Sequence, residues 1–147
     1  MKSALAFALA LAASPAALAL PTSIAAEYSL VATGFTIGHV SETYSRDGDR
    51  YAIRSVARSE GPLKLFVDDQ LTLQSSGRVV ASGLQPLSFA QHRARSGKGA
   101  VQATFDWAHG VMHTQYGDND KEVPLPDHTQ DRISVMYQFM NLRAGAP

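Results

Sequence analysis

The stretch Arg46-Asp47-Gly48-Asp49-Arg50-Tyr51-Ala52-Ile53-Arg54-Ser55-Val56-Ala57-Arg58 decides the fold. Asp-Gly readily takes the positive φ of a tight hairpin, so Arg46 to Asp49 predicts a turn. From Arg50 to Ser59 the side chains alternate. Tyr51, Ile53, Ser55 and Ala57 fall on one face, and Arg50, Arg54, Val56 and Arg58 on the other. A period of two with one wet side is the mark of an antiparallel sheet.

The same grammar runs outward in both directions. Upstream, Tyr28 to Thr33 is a short apolar run that Phe35 to Val40 continues, with Phe35, Ile37, His39, Ser41 and Thr43 on one face. Downstream, Leu63 to Leu73 predicts a strand, Ser75-Ser76-Gly77 a turn, and Arg78 to Ser82 a strand ending at Gly83. Leu87 to Ala94 and Ala100 to Trp107 form the next hairpin, around Ser96 to Gly99. Val101, Ala103, Phe105 and Trp107 share a face. His109-Gly110 leads into Val111 to Tyr116, and Gly117 to Asp120 into Lys121 to Leu125. Strands this close, joined by Gly/Asp turns, predict a meander of hairpins. From Asp127 to Leu142 the signal changes. Ile133, Met136, Phe139 and Met140 recur at helical spacing, with Asp127 or Thr129 as the cap.

The amino end reads differently. Lys2 precedes an uncharged run from Ala4 to Ala13, and Ala17-Leu18-Ala19 fits the small-x-small cleavage rule. The expectation is a signal peptide over residues 1–19, a linker over 20–26 and one β-rich domain over 27–147. Cleavage after Ala25 or Ala26 is the alternative to Ala19. Export to the periplasm follows, with no stable membrane anchor left after cleavage.

Composition narrows the function classes. The 147 residues suffice for one domain, and 13 basic residues balance 13 acidic ones. Without a basic excess, nucleic acid is an unsuitable partner. The absence of cysteine removes disulfides, thiolate nucleophiles and Cys-ligated zinc. His109 and His113 in a turn and strand sit about 13 Å apart by strand rise, too far to share a metal. No serine occupies a Gly-x-Ser-x-Gly elbow. The reading is a non-enzymatic protein with neither cofactor nor metal.

Six features in order resemble the domain-of-unknown-function family 3108, exported bacterial proteins. They are Gly34-x3-Gly38, Tyr51, Ser76-Gly77, Gly83-Leu84-x-Pro86-x2-Phe89, Phe105-Asp106-Trp107 and Gln130-Asp131-x2-Ser134. The resemblance covers roughly Tyr28 to Leu142. It implies a mainly β fold: a strongly curved antiparallel sheet, an open half-barrel or β-spiral, with one C-terminal helix packed on its concave side. It also implies further strands beyond the helix, which makes the chain either a short or a truncated member. Gly34 and Gly38 would let a strand bend or bulge, and Gly83 with Pro86 would turn a corner. Asp131 and Ser134 would bond a sheet edge or a loop. The expected role is binding of an apolar or lipid-like ligand, or of an envelope component, with Phe35, Phe89, Phe105 and Trp107 lining the concavity. The second expectation is a module that pairs with another envelope protein through its sheet edge.

Overall fold

A computed structural model describes residues 21–64, 69–95 and 100–141. The expected signal peptide lies outside the described residues. Eight strands follow one another: β1 (Ser23–Ala32), β2 (Phe35–Asp47), β3 (Arg50–Ser59), β4 (Gln70–Val80), β5 (Gly83–Arg93), β6 (Val101–Asp106), β7 (Val111–Tyr116) and β8 (Asn119–Pro124). Each pairs antiparallel with the next, in the order β1 to β8. The sheet is open, since β1 and β8 do not pair with each other. A helical turn, α1 (Gly61–Lys64), links β3 to β4, and a five-residue helix, α2 (Ser134–Gln138), lies near the end.

Two hairpins show how local chemistry sets the turns. Gly48 has φ +58 between β2 and β3, as Asp-Gly predicts. Thr33 and Gly34 have φ +48 and +82, so the chain folds back there into a second hairpin. Tyr28–Thr33 and Phe35–Val40 are therefore two paired strands and not one continued strand. Gly38 marks a bulge: Leu30 faces Gly38 and Val31 faces Thr36, leaving Ile37 as the extra residue. A Cβ on Gly38 would lie 2.7 Å from the Arg58 carbonyl oxygen.

Three further expectations need correction. Gly61–Lys64 is helical and β4 begins only at Gln70; Leu65 to Asp68 lie outside the described residues. Ser75-Ser76-Gly77 is not a turn but the middle of β4. Gly77 serves close approach instead, because a Cβ there would meet the Gln85 carbonyl oxygen and the Tyr51 ring. Pro86 does not turn a corner. It sits inside β5, facing Gly77, where the register shifts and Leu87 becomes the extra residue. A bulge is where a sheet tolerates a missing N–H.

One face of the sheet carries the core. The register aligns Tyr44, Ile53, Ser75, Phe89 and Ala103 in a row across β2 to β6. Tyr51, Leu84, Phe105, Leu125, Ile133 and Tyr137 complete it. The chain after β8 covers this row. Its helix is shorter than Asp127 to Leu142, and His128 at φ +62 interrupts helical backbone before it. Neither Asp127 nor Thr129 caps it. Asp131 does, accepting hydrogen bonds from the Ile133 and Ser134 amides at 3.0 and 2.8 Å. The expected apolar stripe is also corrected. Ile133 is buried, but Met136 and Phe139 are exposed, and Ser134 and Tyr137 face the sheet instead.

Candidate functional site

The helix face divides into a covered and an uncovered half. In the covered half, the Tyr137 ring stacks on Tyr44 with centroids 5.2 Å apart, and its hydroxyl donates to Glu42. Below it lies a polar cluster that is buried throughout. Ser75 donates to Asp131 at 2.6 Å, so its remaining contact with Tyr51 at 3.1 Å is one in which Tyr51 donates. The Asp131 amide donates to Ser134 Oγ at 3.0 Å. Burial pushes the Tyr51 and Tyr137 hydroxyls up, and the Glu42 carboxylate adds to the rise at Tyr137. The cluster ties the closing segment to the middle of the sheet, not to its edge. Gln138 ties it to the β4–β5 turn, accepting from the Leu84 amide at 2.6 Å and donating to the Ser82 carbonyl at 3.1 Å.

Beyond Glu42 the face lies open. The next row runs Tyr28, Val40, Ala57, Leu71 and Arg93, and the last runs Leu30, Gly38 and Ser59. A hollow of about 160 Å³ lies there, its walls Leu30, Ile37, Ala57 and Leu71 and its floor Gly38. With no side chain on Gly38, the floor is backbone. Tyr28 and Leu30 are 51% and 45% exposed. Arg93 closes one end, held 3.3 Å from Asp69. The Arg95 and Gln70 amides also bond Asp69, and together with Arg93 they hold its carboxyl below the usual range. The rim is therefore charged and the walls apolar.

The opposite face is polar. Thr43, Ser45, Arg54, Gln74, Ser76 and Ser88 surround one broad hollow of about 420 Å³. A second of the same size adjoins it near His113 and Glu122.

Of the four aromatic residues singled out from the sequence, three lie in or against the core and Phe35 stands apart from them. Phe89 and Phe105 are core side chains beneath the closing segment. Trp107 stacks on Phe105 with centroids 6.3 Å apart and donates its indole N–H to the Pro86 carbonyl at 2.6 Å. Phe35 is 61% exposed at the β1–β2 turn, at the other end of the strands. Sequence reasoning missed Leu30, Gly38, Ala57 and Leu71 as a group. The alternation of Ile24, Ala26, Tyr28 and Leu30 was a usable signal, but only the Ile37 bulge brings Gly38 into register with it. The histidines stay apart as well. His39 contacts Glu60, His109 contacts Asp106 and His113 contacts Glu122, each on one carboxylate. The His109 hydrogen bond lowers the Asp106 carboxyl. Among the described residues no three metal-ligating side chains cluster, and no helix is long and apolar enough to cross a membrane.

Residues 26–147 match the family model described as "Protein of unknown function (DUF3108)". No curated protein and no solved structure matches the chain.

Proposed function

The chain belongs to the DUF3108 family of proteins of unknown function, and from that premise we propose that it is an exported, non-enzymatic protein of the periplasm that holds an apolar or lipid-like ligand on the uncovered half of its helix face. The observation that carries this is the exposure of Tyr28 and Leu30 beside an apolar hollow. A soluble domain rarely leaves contiguous apolar surface open without a use for it. In this reading the sheet curls as an open half-barrel around that hollow. The bulges at Ile37 and Leu87 support the curl, because an extra residue increases local twist. The charged rim of Asp69 and Arg93 would face a polar headgroup while Ala57 and Leu71 meet the apolar part. The three-part leader read from Lys2 to Ala19 supports export.

Native mass spectrometry of the chain, purified from its own host, tests the ligand. An added apolar mass that Ala57→Arg removes, with far-UV circular dichroism unchanged, is the expected result. A bare mass, together with no saturable fluorescence from the dye 8-anilinonaphthalene-1-sulfonate that Ala57→Arg abolishes, would overturn the reading.

A further inference from the structure

The two edges of the open sheet are unlike. β8 is six residues long, carries Asp120, Lys121 and Glu122, and ends at Pro124. Charge, proline and shortness are the usual means of keeping an edge from pairing. β1 has none of them. It runs for ten residues with Glu27 as its one charge.

Among the described residues, its hydrogen-bonding groups that pair with no other strand can be assigned. The Arg46 amide donates to the Thr22 carbonyl at 2.7 Å, and the register pairs Ser23 with Ser45. Bonded and non-bonded pairs alternate in an antiparallel ladder. The even-numbered residues Ile24, Ala26, Tyr28 and Leu30 therefore bond to β2. The N–H and C=O of Ser23, Ala25, Glu27, Ser29 and Val31 point away from the sheet.

We propose that β1 pairs antiparallel with β1 of a second copy of this chain, with Tyr28 on the two-fold axis. Symmetry and the outward odd-numbered groups leave few registers. A two-fold axis through Glu27 would set two carboxylates directly opposite, which is unfavourable. Moving the axis to Tyr28 keeps residues 24 to 32 paired and places Glu27 opposite the second copy's Ser29. Ala25 then faces Val31, and Ala26 faces Leu30. The tyrosines oppose each other at a non-hydrogen-bonded site, where side chains come closest and aromatic pairs are favoured. This register sets Tyr28, Leu30 and Val31, three of the exposed large apolar side chains, beside cross-strand neighbours of the second copy. It joins the two helix faces across the axis.

Sedimentation equilibrium of the mature chain tests this, with two kinds of variant. Wild type is expected at twice the chain mass. Ser29→Pro is expected at the chain mass with its far-UV circular dichroism unchanged, because the N–H it removes faces the free edge and not β2. The chain has no cysteine, so Tyr28→Cys introduces a unique thiol. Under mild oxidation it is expected to give a disulfide-linked dimer, and Ala26→Cys is not. A wild-type monomer, a dimer that Ser29→Pro leaves intact, or a monomer that instead binds another envelope protein through β1 overturns the pairing. Preferential cross-linking of Ala26→Cys overturns the register.

Discussion

Ser75 on β4 and Asp131, 56 positions later, share a 2.6 Å hydrogen bond in the interior of the protein. Asp131 is 8% exposed and Ser134 fully buried, so the carboxylate depends on this hydroxyl and two backbone amides for its solvation. Buried charge is retained only when hydrogen-bonded in this way.

Ser75→Ala removes one of those donors and one hydrogen-bond partner of Tyr51. The expected loss is about 1–3 kcal/mol. Asp131→Ala also strips the amides of Ile133 and Ser134 of their partner, and is expected to cost more. Urea unfolding followed by circular dichroism measures both, with the midpoint falling and the slope unchanged.

Gly77→Ala tests the close approach of β4 and β5. The new Cβ would lie 2.2 Å from the Gln85 oxygen and 2.8 Å from Tyr51. Backbone must move, so the expected loss is ~3 kcal/mol. Gly48 has open space around the same position, so Gly48→Ala is expected to cost only the strain of its positive φ, about 1 kcal/mol. Thermal melts of the two variants separate crowding from backbone strain.

Thr33 is a β-branched residue at φ +48 in the β1–β2 turn. That conformation suits asparagine, which with the following Gly34 makes the favoured two-residue hairpin. Thr33→Asn is expected to stabilise by ~1 kcal/mol, read as a higher melting temperature.

These cases show what the sequence could and could not disclose. Asp47-Gly48 and the alternation of Tyr51, Ile53 and Ser55 identify their hairpin outright, because both signals are local. β6, β7 and β8 are legible for the same reason. Gly77 and Pro86 mislead as a pair. Each reads as a breaker alone, yet they face each other across a bulge, a relation between strands that no local pattern expresses. Met136 and Phe139 mislead because periodicity presumes a long helix; with α2 cut to five residues, Ile133 and Tyr137 take the sheet. The apolar hollow is assembled from four strands, and its floor is an absence of side chain at Gly38. Phe89, Phe105 and Trp107 were conspicuous for their size, which is the reason they fill the core.

Alkali should weaken the fold in a defined window. The folded-state pKa values of Tyr51 and Tyr137 lie above the ordinary value of 10.0. Stability from keeping them neutral is complete below that value and is lost as pH rises above it, since the unfolded chain then ionises first. The melting temperature is expected to fall above about pH 10, and Tyr51→Phe to flatten that fall. Asp69 and Asp106 act oppositely. Their lowered carboxyls contribute above the ordinary carboxylate range, and the contribution is lost as pH falls through their folded values.

The proposed leader removal has a structural bound. β1 begins at Ser23, so a cut after Ala26 would delete Ser23 to Ala26 and their pairing with β2. The intact mass of the mature protein is expected to start at Leu20, which leaves the strand whole.

The closing segment also sets an order of assembly. Tyr44 is made more than ninety positions before Tyr137, the ring that covers it. Each hairpin can form as its own residues emerge, since neighbours in sequence are neighbours in the sheet. The helix face stays wet until Asp131 reaches Ser75 and Tyr137 reaches Tyr44. Until then the chain carries strands with no sealed interior, and its commitment to the native state waits for Asp131 and Tyr137.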